Sequence, residues 1–374
     1  MFILGRKSDD GDAAIMTWFV LAAIYLLYLY FLFWTGNGLT RLLKRNRPDN
    51  RIRRSYSLIV PVHNEGANLR TCLPALIAQD YPSELYEIIV VADRCSDDTA
   101  AIARSFREQF ANLTVLEVWD TPAGVAPKKH ALARAIRHAR HARLVFIDSD
   151  VRVAPAHLTV FNRYFEDDTA ALVSLMKLDP PQHFWQQFLV FEKLISWMIA
   201  AAAVGYRRPI ISYGGNWAYT LPAFQAVRGF SAIETSLSGD DDLLLQQISR
   251  AGLPVQFCLL PDGWTRMPFP GSFRHFLRQR RRHFSAGKRY RRSVQAGYLG
   301  FHSANLLLWA GIFLGPAGWV FLGLKLLGDW LLLRRGKAIF HEQFPAYRFP
   351  LFNFLFMVYN TLIGPLGHVG RIRW

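Results

Sequence analysis

The chain has 374 residues, with 44 Lys and Arg against 28 Asp and Glu for a formal charge of +16, yet it is 51% hydrophobic and 14% aromatic. That aromatic content excludes a disordered basic tail, and a soluble nucleic-acid binder has no use for so much apolar surface. Basic charge on an apolar chain of this length suggests a membrane protein of two or three domain-sized units.

After a short tail (1–13), residues 14–34 run 21 positions without a charge, close to the ~20 that span a bilayer. No small-residue cleavage site follows, so the segment reads as an uncleaved anchor. A basic linker (35–54) comes next; residues 41–54 hold seven basic side chains and Asp49, a net +6. Residues 278–292 hold eight and no acid, so these 29 positions carry +14 of the +16. Both runs abut apolar segments and mark cytoplasmic flanks. The expected path is N-terminus outside, then a cytoplasmic domain (55–292) at a bacterial inner or plasma membrane.

Within that domain the pattern alternates. Short apolar runs at 57–62 (SLIVPV), 87–91, 114–118 and 144–147 read as buried strands. Between them, 69–79, 97–110 and 129–139 have helical spacing. Such alternation means a parallel, doubly wound sheet, whose ligands sit beyond the carboxyl ends of the strands. Polar residues fall there: His63, Asn64 and Glu65 after the first strand, Asp93 after the second, Asp148 and Asp150 after the fourth. Singly, each reads as a cap or turn residue, as Asp97 does before its helix. Together they crowd negative charge into one crevice, which is costly without a cation.

Asp148-Ser149-Asp150, leaving the strand LVFI, is a carboxylate pair able to share a hard divalent cation with phosphate oxygens; the plainer reading is a turn. Residues 184–205 are aromatic and nearly uncharged, either a core helix or an interfacial helix in the headgroup layer. Asp240, Asp241 and Asp242 precede LLLQQI. Capping a helix needs one or two of them, which leaves one for a general base. Three cysteines show no metal-like spacing.

Further apolar segments follow at 298–315 and 316–333, split by Gly315-Pro316, and at 349–367, which spans or re-enters. Lys325 and Asp329, four apart, share a helical face and can pair. Arg334, Arg335 and Lys337 begin a cytoplasmic loop (334–348). The C-terminal tail (368–374) carries Arg371 and Arg373.

From about residue 55 to 283 the chain resembles the membrane-bound branch of the family 2 inverting glycosyltransferases of GT-A type, the branch of ceramide glucosyltransferase and the cellulose and hyaluronan synthases. The likeness rests on SLIVPVHNE, IIVVADRCSDDT, FIDSD, GGNWAYTLPAFQAVRGF, SGDDDLLLQQI and RQRRRH, in that order. It implies a GT-A, Rossmann-like βαβ domain flanked by one N-terminal and two to three C-terminal transmembrane helices. It also implies a nucleotide-sugar donor, a UDP-sugar, and a Mg2+ or Mn2+ ion.

By this resemblance Pro61, His63 and Glu65 edge the uridine and ribose, and Asp93 lies in the base-binding loop. Lys128 or Lys129 approaches the nucleotide. Asp148 contacts the donor, and Asp150, with Asp148, holds the metal. Asp241 takes the acceptor's proton with Asp240 beside it; Gly215 and Asn216 line the acceptor end. Gln279, Arg280 and Arg282 attend the diphosphate. Two positions depart: Ala92 stands where the family often has a first acid, and His283 replaces the Trp of Gln-x-x-Arg-Trp, a platform for polymer ends in processive synthases.

Three functions compete. One is a hexosyltransferase acting on a glycolipid, sterol-like, carotenoid or polyprenyl acceptor in contact with membrane lipids. A polysaccharide synthase of the same family is the second, although export normally needs more spans. The third is a non-catalytic nucleotide-sensing membrane protein. No nucleic-acid partner is expected, because no aromatic-interleaved RNA motif appears. Sugar, acceptor and oligomeric state are not legible.

Overall fold

A computed structural model describes residues 6–367, which leaves residues 368–374, with Arg371 and Arg373, outside the described residues. The elements run α1 (Arg6–Arg45), β1 (Tyr56–Val62), α2 (Gly66–Ile77), β2 (Tyr86–Asp93), α3 (Thr99–Ser105), β3 (Leu113–Val118), α4 (Pro127–His138), β4 (Arg143–Ile147), α5 (His157–Tyr164) and β5 (Ala171–Val173). They continue with β6 (Met176–Leu178), α6 (Phe184–Gly205), β7 (Asn216–Thr220), α7 (Leu221–Ala226), α8 (Asp242–Arg250), β8 (Val255–Phe257) and β9 (Thr265–Met267). Four long helices close the chain: α9 (Phe273–Ala286), α10 (Arg292–Ala310), α11 (Pro316–Phe340) and α12 (Phe349–Leu366).

Seven strands form one sheet in the order β3-β2-β1-β4-β7-β5-β8. β1 pairs in parallel with β2 and β4, and β2 with β3, as the alternation of apolar runs and helices requires. The strand order reverses between β1 and β4, so their carboxyl ends open a crevice there. The sheet is mixed, however: β7 runs antiparallel to both β4 and β5. Its first residue, Asn216, pairs with Ile147, the last of β4. That register carries Gly214 and Gly215 to the exit of β4, beside Asp148.

The 40 residues of α1 run past the expected anchor through part of the basic linker. Small residues explain the close packing on α6, since a Cβ on Gly205 would meet the Gly38 carbonyl and one on Gly38 would meet Ala202. Arg45 then donates to the Gly205 carbonyl at the end of α6, a favourable place for a cation. α11 likewise continues through Arg335, whose guanidinium donates to the Gly36 carbonyl (2.9 Å) and to Thr40 Oγ1 (2.8 Å) on α1. Between α10 and α11, Gly315 takes φ 80°, a conformation glycine adopts freely.

Five of the described helices are long and apolar enough to cross a membrane: α1, α6, α10, α11 and α12, the α10 and α12 candidates each extended by a short 3-10 turn. α6 differs from the rest, with 67% of its apolar window buried. Leu194 and Trp197 join the hydrophobic core under the sheet, while Phe191 packs on Phe352 and Phe356 of α12. It floors the sheet domain on top of the other helices. Lys325 and Asp329 pair at 2.9 Å. Tyr28 and Asn353 both donate to that carboxylate (2.8 and 2.7 Å), so one buried charge pair ties α1, α11 and α12.

Candidate active site

The crevice between β1 and β4 is the mouth of a cavity of about 1320 Å3. Its wall begins at Pro61, His63, Glu65 and Asp93, passes Asp148, Asp150 and the Asp240–Asp242 triplet, and meets Gln279, Arg280, Arg282 and His283 of α9. From there it continues without a break to Leu299 and Leu306 of α10 and to Thr361 and Pro365 of α12. One space therefore joins the carboxylates to the apolar helices.

At the strand ends, His63 Nδ1 lies 2.7 Å from the Asp93 carbonyl oxygen and locks the first two loops together. Asp93 is buried, and Arg94 grips it with two hydrogen bonds of 2.9 and 3.0 Å. Asp148 follows β4; a Cβ on Gly215 would sit 2.5 Å from its Oδ2 and push this carboxylate aside. Glu65 accepts from the Ser149 hydroxyl. Burial, then Asp150 and Asp148, push the Glu65 carboxyl up to about 7. Burial, then Asp148, push Asp150 to about 6.

Lys128 answers part of this charge. Its ammonium lies 3.2 Å from Asp148 and 3.4 Å from Asp240. Burial alone would lower its pKa, but Asp148, Asp240 and Asp241 outweigh it and hold the lysine charged. Asp240 is the converse: burial raises it, Lys128 and Lys129 prevail, and it stays ionised below the usual carboxylate range.

Asp241 caps α8 through Oδ1, which accepts from the Asp242 N–H (2.7 Å), while Oδ2 accepts from the Gly214 N–H (2.8 Å). Capping and catalysis are therefore not exclusive, since a carboxylate has further lone pairs. Burial, then Asp240, bring Asp241 to about 6, close to the working pH of a general base. Asp242 is taken up by the Ser212 N–H (2.6 Å) and the Tyr290 hydroxyl.

Two expected site residues lie off the cavity, and a third lines it but is already paired. Lys129 is buried and donates to the Ser236 and Ser238 carbonyls (2.5 and 3.0 Å), bracing the loop before the acid triplet; the neighbouring Lys128 lines the cavity instead. Asn216 is buried off the cavity, donating to the Leu175 and Gly263 carbonyls (2.7 and 3.0 Å) and accepting from His157 (2.9 Å). Arg280 lines the cavity but pairs with Glu192 of α6 at 2.8 Å. Tyr290 and Glu192 were missed, for neither belongs to a local pattern; Ser149 and Gly214 lie inside the motifs FIDSD and GGNWAYT but were given no role.

For a divalent cation, the hard carboxylate oxygens of Asp148 and Asp150 are the right donor type, two residues apart at the exit of β4. Among the described residues no three His, Cys, Asp or Glu side chains stand together as a complete ion cage. An ion there would complete its shell from diphosphate and water.

This sheet, with acids at its switch point, has the GT-A-type glycosyltransferase fold. Residues 53–286 match the family model described as glycosyltransferase like family 2, well over half the chain, and the protein belongs to that family. It is 36% identical over 94 residues to the glycosyltransferase AglE of Haloferax volcanii, covering 25% of this chain and 30% of that protein. To a 4,4'-diaponeurosporenoate glycosyltransferase of Staphylococcus aureus it is 29% identical over 146 residues, 38% of this chain and 37% of the other. The matched segments thus span about a third of each relative. A mannosyltransferase from Pyrobaculum calidifontis, solved with GDP-Man and Mn2+, superposes with a TM-score of 0.57 at 19% identity, over 94% of this chain and 98% of that one.

Proposed function

We propose that the protein is a membrane-bound, inverting hexosyltransferase that moves a sugar from a nucleotide-sugar, a UDP-sugar, to a hydroxyl of a lipid acceptor. The single observation that carries this reading is the unbroken cavity from the strand-end acids to α10 and α12. A donor entering at Pro61 and Asp93 and an acceptor sliding in from the apolar helices meet at the acid triplet. The partial likeness to a diaponeurosporenoate glycosyltransferase supports an apolar, carotenoid-like acceptor.

The chemistry follows from charge. Asp241, held by two backbone N–H groups, removes the acceptor hydroxyl's proton, and the oxygen attacks the anomeric carbon from the face opposite the leaving group. Lys128 keeps Asp240 ionised and pairs with Asp148; Arg282, on the cavity wall, stabilises charge growing on the diphosphate. Asp148 and Asp150 would hold Mg2+ or Mn2+, which supplies Lewis-acid stabilisation of the same oxygens. α6 keeps the site at the membrane face, with the sheet domain on the cytoplasmic side.

Native membranes containing the protein, incubated with a radiolabelled UDP-sugar and extracted with organic solvent, test the reading. Label in the organic phase supports it. Label confined to a high-molecular-weight, solvent-insoluble product makes the protein a polysaccharide synthase instead.

A further inference from the structure

A second concavity lies away from the catalytic cavity. It is about 400 Å3 in volume and is walled by Arg207 and Arg208 after α6, Arg250 at the end of α8, and Arg291 just before α10. Three separate stretches of chain thus bring four guanidinium groups to one hollow. No carboxylate lines it among the described residues, and none of the four forms an ion pair there. Arg207, Arg208 and Arg250 are exposed around its rim, and Arg291 is half-buried.

Arg291 is the most constrained member. Its terminal nitrogen donates to the Gln246 carbonyl at 2.7 Å, whereas its Nε is buried without a partner. Burial, and then the neighbouring charges of Arg250 and Arg208, lower its pKa. Guanidinium groups pair with phosphate oxygens bidentately, which satisfies both charge and the orphaned N–H.

Position tells where the phosphate comes from. The hollow adjoins the start of α10 and the end of α6, both apolar enough for a membrane. Next to it Trp34 stacks on Tyr206 (5.2 Å) and Arg41 lies over the same ring (4.7 Å), an aromatic and basic belt of the kind found at headgroup level. We propose that this pocket binds the phosphate of an anionic membrane phospholipid through Arg207, Arg208, Arg250 and Arg291. It is separate from the sugar-transfer cavity and does not rest on the transferase reading.

The full chain in neutral detergent is titrated with phosphatidylglycerol or phosphatidylcholine of identical acyl chains, and retained lipid is read by native mass spectrometry. Phosphatidylglycerol should bind at least ~10-fold more tightly than phosphatidylcholine. R208Q/R250Q should weaken it roughly 30-fold, about fivefold for each guanidinium lost at a membrane surface. S293E places a carboxylate in the hollow, keeps every arginine, and should weaken binding in the same direction. Equal retention of the two lipids, or unchanged phosphatidylglycerol binding in S293E, overturns the proposal. So does inorganic phosphate displacing the lipid at equal concentration, which would make the ligand a soluble phosphate.

Discussion

Asp241→Asn separates proton removal from donor binding. Each carboxylate oxygen of Asp241 accepts one backbone N–H, from Gly214 at 2.8 Å and from Asp242 at 2.7 Å. An amide has one acceptor oxygen, so its NH2 group must face one of those donors. One hydrogen bond is lost and a donor is left facing a donor, a stability loss of about 1–3 kcal/mol. The same change removes the base, which general-base catalysis values at roughly 10²–10⁴ in rate. The nucleotide end, at Pro61, His63 and Asp93, is built from other strand ends and should be untouched. Calorimetric titration with UDP should therefore give an affinity within about threefold of the parent, while single-turnover transfer falls by the full factor. Parallel loss of UDP binding and transfer would refute Asp241 as the base.

Other outcomes follow from the same geometry. Because the base must be ionised and its carboxyl is raised to about 6 in the free protein, kcat/KM should fall as pH drops through about 6, by tenfold per unit below it; a profile flat to pH 4.5 would exclude Asp241. Glu65 and Asp150, raised to about 7 and 6, bind protons in the folded state at pH values where the unfolded chain has lost them. Metal-free protein should thus lose stability as pH rises from about 5 to 7, and Mn2+ should raise Tm at pH 7.5 but not at pH 5. Asp150→Ala should abolish that Mn2+ effect. Asn216→Ala removes two donors to buried carbonyls and should lower stability by about 2–4 kcal/mol in thermal melts, with the acceptor KM of the folded fraction unchanged. Lys325→Met leaves Asp329 buried without its cation and should cost about 3–5 kcal/mol, most of it recovered in Lys325→Met/Asp329→Leu.

Much of this was legible in the sequence. Buried parallel strands are short apolar runs with turn residues behind them, so β1, β2 and β4 and the acids at their ends stood out. The direction of β7 did not, because NWAYT carries a strand's composition and no orientation; the long path through α6 sets it. Choosing between Lys128 and Lys129 was beyond reach for a similar reason. Successive residues on α4 point about 100° apart, and only the seating of α4 on the sheet decides which meets Asp148. On α9 two such steps turn Arg282 about 200° away from Arg280, and the partner that claims Arg280 is Glu192, 88 positions away. The turn acid Asp97 was legible locally, but the helix starts one residue later than expected: Asp98 is its N-cap, and Asp97 accepts the Thr99 N–H (3.1 Å) from the position before it.

The account stands most directly on a single displacement at the acid triplet. That displacement is read from the anomeric configuration of the transferred sugar, by proton NMR of the product made from an α-linked nucleotide-sugar. A β-linkage is the outcome required by attack from the face opposite the diphosphate. An α-linkage would contradict the account, because retention needs a second displacement and a role for Asp241 other than base.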